Sequence, residues 1–179
     1  MKGLELCERF YLECGKPMLE EQFSEEVKRA SWDYYEPRTL HDSSLSLSTH
    51  SVLACDIGDT ELGYQMFQKA CGIDLSNDNP HSSDAGIHAA SCGGLWQCVV
   101  YGFGGVRMLG GKLRINPKLP KAWTRLCFRI YWRGQLLAVT VTENETEIVN
   151  ETLSDPVEME ICGREYRFEK SIRVKTVPV

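Results

Sequence analysis

The hydrophobic rhythm of this 179-residue chain changes once, near residues 101–107. Before that point apolar residues recur at helical spacing, and after it they alternate in twos. Side chains repeat every 3.6 residues along a helix and every 2 along a strand, so neither pattern can bury its apolar face in the other structure. The class that follows is α+β by segregation, helices first and strands second.

In the first half, Ser24 precedes Glu25, Glu26 and Val27, the pattern of a capped helix start with acids in its first turn. Pro37 stops that helix and pushes Glu36 out of the α region. A second helix is expected over about 45–56, ended by Gly58. Thr60 is expected to cap a third, whose stripe is Leu62, Met66, Phe67 and Ala70. Residues 76–84, rich in Ser, Asn and Asp, read as a loop. The fourth helix, about 85–101, is apolar on nearly every side and so is expected to be buried in a larger assembly.

In the second half, Leu126, Phe128, Ile130 and Trp132 alternate with Cys127, Arg129, Tyr131 and Arg133. Arg133-Gly134 turns the chain into a second strand over 137–141, and Cys162-Gly163-Arg164 makes another tight turn. Further strands are expected at 147–149, 157–161, 166–168 and 172–174, a spacing that points to an antiparallel two-sheet sandwich. The expected division is 1–105 helical and 106–179 β.

Charge divides at the same place. Residues 1–100 carry 7 basic and 16 acidic side chains (net −9), and residues 101–179 carry 13 and 9 (net +4), for −5 in all. That acidic balance argues against a nucleic-acid backbone or an anionic membrane as partner. No apolar run reaches the roughly 18–20 residues of a membrane helix, and the start lacks the order of a signal peptide. The expectation is a soluble, cytoplasmic protein. The eight cysteines show no CxxC, so they read as reduced thiols buried on apolar stretches, Cys127 among them, with no metal. The Asn144 and Asn150 sequons are then incidental.

Three clusters carry candidate chemistry. Residues 34–46 crowd aromatics, Glu36, Arg38, His41, Asp42 and the Ser43-Ser44 pair between two helices. Hydroxyls and free N–H groups ahead of a helix can hold an anion, or the serines can simply cap it. Residues 84–91 place His88 at the start of the apolar helix, where an imidazole is either a satisfied core residue or a donor to phosphate or sugar. Gly93-Gly94 costs about 1–2 kcal/mol against alanines in a helix, so something must approach that backbone closely. Residues 101–107 lack the GxGxxG spacing and read as a breaker between the halves. No pair of carboxylates is set for acid/base work.

The order Tyr-Tyr-Glu-Pro-x-Thr-x-His-Asp-Ser-Ser-Leu-Ser (34–46), Gly-Ile-His-Ala-Ala-Ser-x-Gly-Gly-x-Trp (86–96), Gly-Phe-Gly-Gly-x-Arg (102–107) and Pro-x-Leu-Pro-x-x-Trp (117–123) resembles glycoside hydrolase family 65. The resemblance runs from about Phe23 to the end. It implies the last helices of an (α/α)6 barrel followed by a small jelly-roll-like β domain, with the family's general-acid glutamate upstream of this chain. It implies inverting phosphorolysis of an α-linked disaccharide to β-glucose 1-phosphate, with inorganic phosphate as co-substrate and no other cofactor. Carried over by motif, Ser43, Ser44 and His88 would hold phosphate, and Arg38 and His41 are substrate-site candidates. On this reading the chain is a C-terminal piece, inactive alone, that self-associates through helix faces meant for other barrel helices. A fragment of an inverting family 65 hydrolase, and a non-catalytic sugar-binding or assembly module, stay open as alternatives.

Overall fold

The computed structural model describes residues 23–75, 86–153 and 155–176. Cys7, Cys14 and the expected loop at 76–84 lie outside the described residues. Among the described residues four α-helices come first: α1 (Glu25–Tyr35), α2 (Ser46–Asp56), α3 (Thr60–Cys71) and α4 (Ala89–Gln97). Eight strands follow: β1 (Val106–Leu109), β2 (Lys112–Ile115), β3 (Arg125–Trp132), β4 (Gln135–Thr142), β5 (Glu145–Asn150), β6 (Val157–Ile161), β7 (Arg164–Phe168) and β8 (Ser171–Lys175).

The Ser24 hydroxyl accepts from the Val27 N–H, and α1 ends before Pro37 as expected. Glu36, however, is not pushed out of the α region: it stays at φ −55°, ψ −50°, because Pro37 enters a 3-10 turn (Glu36–Arg38) whose first residues need no N–H donor. α1 seats Trp32 against Ala54 and Met66 in a small core of its own. α2 and α3 form an antiparallel hairpin turned at Gly58 (φ +87°). Its cap is Asp59, not Thr60: the Asp59 carboxylate accepts from the Leu62 N–H at 3.1 Å, one residue earlier than expected. Either residue type can cap, and the tight Gly58 turn decides which one stands outside the helix.

The fourth helix departs most from its sequence pattern. It begins at Ala89 and leaves the α register at Cys98, where Cys98–Phe103 forms a π-helical turn. Only Ser91 and Gly94 are buried within it, while Ile87 before it is 75% exposed and Trp96 51% exposed. An apolar pattern reports what a face could bury, and among the described residues only one face of α4 has a partner.

The strands form two sheets, β1-β2-β6-β7 and β3-β4-β5-β8. Pairing is antiparallel except between β2 and β6, which run parallel. The two-residue rhythm places Leu137, Val139 and Val141 of β4 and Val157, Met159 and Ile161 of β6 inside, as two facing sheets require. β1 and β2 were not expected; they are joined by a Gly110-Gly111 turn with both φ positive, as are the residues of the Arg133-Gly134 and Cys162-Gly163 turns. The alternation also corrects the reading of Cys127, which lies on the outer face of β3 and is exposed, as is Cys92 on α4. Cys55 and Cys98 are buried, and burial pushes both thiols up to about 12. Asn150 is buried, donating to Gln135 Oε1 at 2.6 Å.

One core runs through both halves. Val52, Cys55, Cys98, Val100 and Phe103 are continuous with Leu113, Ile115, Leu126 and the sandwich interior. Trp123 seals the junction, its ring 4.9 Å from Phe103 and 5.7 Å from Phe67. Gly105 (φ +62°) turns the chain out of the π segment, and a side chain there would overlap the Asn116 carbonyl. Arg107, 6% exposed, pairs with Asp56 and donates to Tyr101 O at 2.6 Å. Among the described residues no helix is long and apolar enough to cross a membrane.

Candidate functional site

The packing of α2 on α4 decides which chemistry meets. A Cβ on Gly94 would lie 2.9 Å from Ser48 Cβ and closer still to its Oγ, so these two helix backbones nearly touch at that level. The Cys98 thiol donates to Ser48 O at 3.3 Å, and Gly102 packs on Val52 and Cys55. Later residues of one segment meet later residues of the other, so α2 and α4 run parallel. Their N-termini, where the first-turn N–H groups have no intrahelical acceptor and the dipole is positive, lie at the same end. α3 runs back antiparallel to α2, which brings its C-terminus and the residues after it to that end too.

The Ser43-Ser44 pair stands ahead of α2. The Ser43 carbonyl accepts from Ser46 N–H at 3.0 Å and its hydroxyl from Leu45 N–H at 3.3 Å. That is a turn contact rather than a helix cap, because the α2 cap position, Leu45, has no side-chain hydrogen bond. Ser43 is exposed and Ser44 half-buried, so both remain within reach of solvent.

His88 is the residue before α4, not a member of its first turn. It is tied to a residue that the sequence reading missed. Asp74, three residues beyond the end of α3, takes His88 Nδ1 at 2.6 Å with one carboxylate oxygen and the His88 backbone N–H at 2.9 Å with the other. The hydrogen bond from His88 holds the Asp74 carboxyl below its ordinary range. No sequence signal marks Asp74: an acid after a helix end and a glycine is commonplace, and its partner is 14 residues away.

His41 and Arg38 have more local partners. His41, at φ +54°, pairs Nδ1 with Ser46 Oγ at 2.8 Å and has Nε2 3.9 Å from Glu36. Its ring meets His50 edge-on at 4.7 Å, and His50 donates from Nδ1 to Ser46 O at 2.9 Å. Burial first, and the neighbouring His41 next, hold His50 below its ordinary range. Arg38 turns back onto α1, donating to Tyr34 O at 2.5 Å with its guanidinium 4.3 Å from the Tyr34 ring centre. Among the described residues no hydrogen bond or ion pair joins Arg38 to Ser43, Ser44 or His88.

A polar recess at the other end of α2 is lined by Asp56, Arg107, Arg114, Asn116 and Lys118. Its cations are already engaged: Arg107 by Asp56, Arg114 by Glu160 at 3.0 Å, and Lys118 by the Cys55 carbonyl at 2.6 Å. It ties the helices to the sheets. Among the described residues no group of three His, Cys, Asp or Glu could hold a metal ion.

Two family descriptions match the chain: the glycosyl hydrolase family 65 central catalytic domain over residues 6–97, and the C-terminal domain of the same family over 106–168. A kojibiose phosphorylase of Halothermothrix orenii is 46% identical over 131 residues, covering 73% of this chain and 17% of its own length. One from Caldanaerobacter subterraneus subsp. tengcongensis is 42% identical and covers 83% and 19%. An alpha,alpha-trehalose phosphorylase of Thermoanaerobacter brockii is 39% identical and covers 85% and 19%. A solved structure, described provisionally as a kojibiose phosphorylase from human microbiome, superposes with a TM-score of 0.78 at 34% identity, over 87% of this chain and 20% of that one. The chain therefore spans about a fifth of the length of these relatives. Matched over both halves, the chain belongs to glycosyl hydrolase family 65.

Proposed function

We propose that this chain supplies the phosphate-binding part of a cytoplasmic family 65 phosphorylase that cleaves an α-glucosidic disaccharide. Residues 1–105 would belong to the (α/α)6 catalytic domain and 106–179 to the β domain. Ser43 and Ser44 at the start of α2, and His88 at the start of α4, would hold the anion, with Arg38 and His41 beside the sugar. The observation that supports this most is the parallel α2/α4 pair, which brings two helix N-termini, the Ser43-Ser44 pair and His88 to the same end of these helices. The relatives named above are kojibiose and trehalose phosphorylases, and a maltose phosphorylase of Bacillus subtilis is 34% identical.

In this reaction a general-acid glutamate, which family resemblance puts outside this chain, gives its proton to the glycosidic oxygen. A phosphate oxygen attacks the anomeric carbon from the opposite face as the glycosidic C–O bond breaks, and inversion yields β-glucose 1-phosphate. A phosphate dianion needs no base to become a nucleophile, so the site needs donors that bind and orient it. Without the general acid the chain alone is inactive. Its exposed Leu40, Leu75, Ile87 and Trp96 would be covered by self-association.

The hydrolase reading gains one observation, since a carboxylate, Asp74, does stand beside His88. An inverting hydrolase needs a second carboxylate to activate water. Both Asp74 oxygens, however, are turned to His88, which suits holding an imidazole better than taking a proton from water.

The test is thermal unfolding of this chain with and without phosphate, for the parent, His88→Ala and Ser43→Ala/Ser44→Ala. A ligand at 100 times its Kd adds about 2.7 kcal/mol to stability. The expected result is a phosphate-dependent rise in Tm that both variants remove. No rise at saturating phosphate, or one that survives both variants, overturns the reading.

A further inference from the structure

His88 has two ring nitrogens, and what each one faces is different. Nδ1 meets the Asp74 carboxylate at 2.6 Å. Nε2 has no protein partner among the described residues, and the side chain is one-third exposed. An ionised carboxylate only accepts, so the hydrogen on the Asp74 side must sit on Nδ1. In the neutral ring the Nε2 lone pair is then left without a partner among the described residues.

The contact is anchored at both ends. Asp74 follows Ile73, which is 1% exposed and whose N–H donates to Ala70 O, so the turn after α3 is held in the core. The second carboxylate oxygen takes the His88 backbone N–H at 2.9 Å, which fixes the residue from which α4 starts. Two hydrogen bonds from one carboxylate, to the ring and to the backbone of the same residue, leave the imidazole little freedom to rotate. The low carboxyl set by His88 keeps Asp74 ionised and therefore accepting on both oxygens.

We propose that Asp74 is the positioning residue of His88: it holds the Nδ1–H tautomer and so directs any further proton to Nε2, the atom open to an anion. The anion role rests on reading His88 as a phosphate donor; the tautomer and the orientation do not. Once Nε2 is protonated, the ring presents a charge-assisted donor outward while Asp74 balances the charge behind it. Asp74 is not itself placed to touch phosphate, because its oxygens face His88.

Asp74→Asn separates this role from simple packing. The amide keeps the shape but offers one acceptor and one donor, so it cannot accept from both Nδ1–H and the backbone N–H. Its clash-free arrangement accepts from the backbone and donates to Nδ1, which moves the ring hydrogen to Nε2.

The experiment is a long-range 1H–15N spectrum of the whole chain labelled at histidine, with His88 assigned from His88→Gln. The parent is expected to show Nδ1 protonated and Nε2 bare in the neutral ring, Asp74→Asn the reverse, and Asp74→Glu the parent pattern. In parallel phosphate titrations, Asp74→Asn is expected to bind about ten-fold more weakly, the scale of losing the charge from one charge-assisted hydrogen bond, and Asp74→Glu to recover most of the affinity. An Nε2-protonated parent, or an unchanged tautomer in Asp74→Asn, overturns the proposal. So does full phosphate affinity in Asp74→Asn when His88→Gln has lost it. If His88→Gln binds phosphate normally, the phosphate reading fails, and the spectrum still judges Asp74. If Asp74→Asn does not fold, Asp74→Glu decides: an Nε2-protonated ring there also overturns the assignment.

Discussion

Gly93 and Gly94 are chemically identical, adjacent, and in the same helix, yet they should respond oppositely to alanine. A Cβ on Gly93 meets nothing within 4 Å, so Gly93→Ala gains only helix propensity and should stabilise the chain by about 0.5–1 kcal/mol. A Cβ on Gly94 would stand 2.9 Å from Ser48 Cβ, where carbons pack at about 3.5–4.0 Å. α2 and α4 must then part by most of an ångström along a contact that continues through Cys98 and Gly102. Overpacking of that kind costs about 1–3 kcal/mol. Because the propensity gain is common to both, the difference between the two variants reads the overpacking alone. At about 2–4 °C per kcal/mol for a chain of this size, the two Tm values should separate by several degrees, with Gly94→Ala lower. Urea unfolding followed by circular dichroism gives the same difference as a free energy. Ser48→Ala removes the nearer atom and leaves the Cβ contact, so it should restore part of the loss in Gly94→Ala. Equal shifts in the two alanine variants would refute the close parallel packing of α2 on α4, and with it the convergence of the two helix N-termini.

Two other predictions concern charge and surface. His50 is held below its ordinary value of 6.5, so the unfolded chain binds more protons than the folded one as pH falls through 6.5, and stability should decline there. The groups around it are His41, Glu36 and the Ser46 carbonyl; His50→Gln keeps the donor to Ser46 and should flatten the decline, and an unchanged slope in urea melts between pH 7 and 5.5 would count against this. The exposed Leu40 (83%), Leu75 (85%) and Ile87 (75%) should make the chain self-associate; a single sharp monomer in sedimentation velocity at rising concentration would contradict that.

What could be read from residue order was local. Alternation in twos identified β3 through β8, and Arg133-Gly134 and Cys162-Gly163 marked hairpins through their glycines, which take a positive φ without steric cost, while Arg133 and Cys162 adopt it at one. Ser24 and Pro37 bounded α1, and the glycines at 102–105 marked the passage from helices to sheets, all through constraints that act within a few residues. The motif order carried the family, including the serines and His88. Four-residue β1 and β2 escaped, since so short a run holds too few turns of either rhythm to distinguish them. Cys127 was misplaced because an apolar neighbourhood does not say which face of a strand a residue takes; register does.

Pairing between distant elements belongs to the tertiary structure. That β2 lies beside β6 in parallel, that α4 follows α2 in the same direction, and that Asp74 closes on His88 depend on which faces can exclude water together. Gly94 announced a close approach without naming Ser48 as the partner. The chemistry of the site follows the same division. The hydroxyls and the imidazole are written in the sequence, but their common end comes only from the parallel packing of α2 on α4, and the carboxylate beside the imidazole only from the turn after α3.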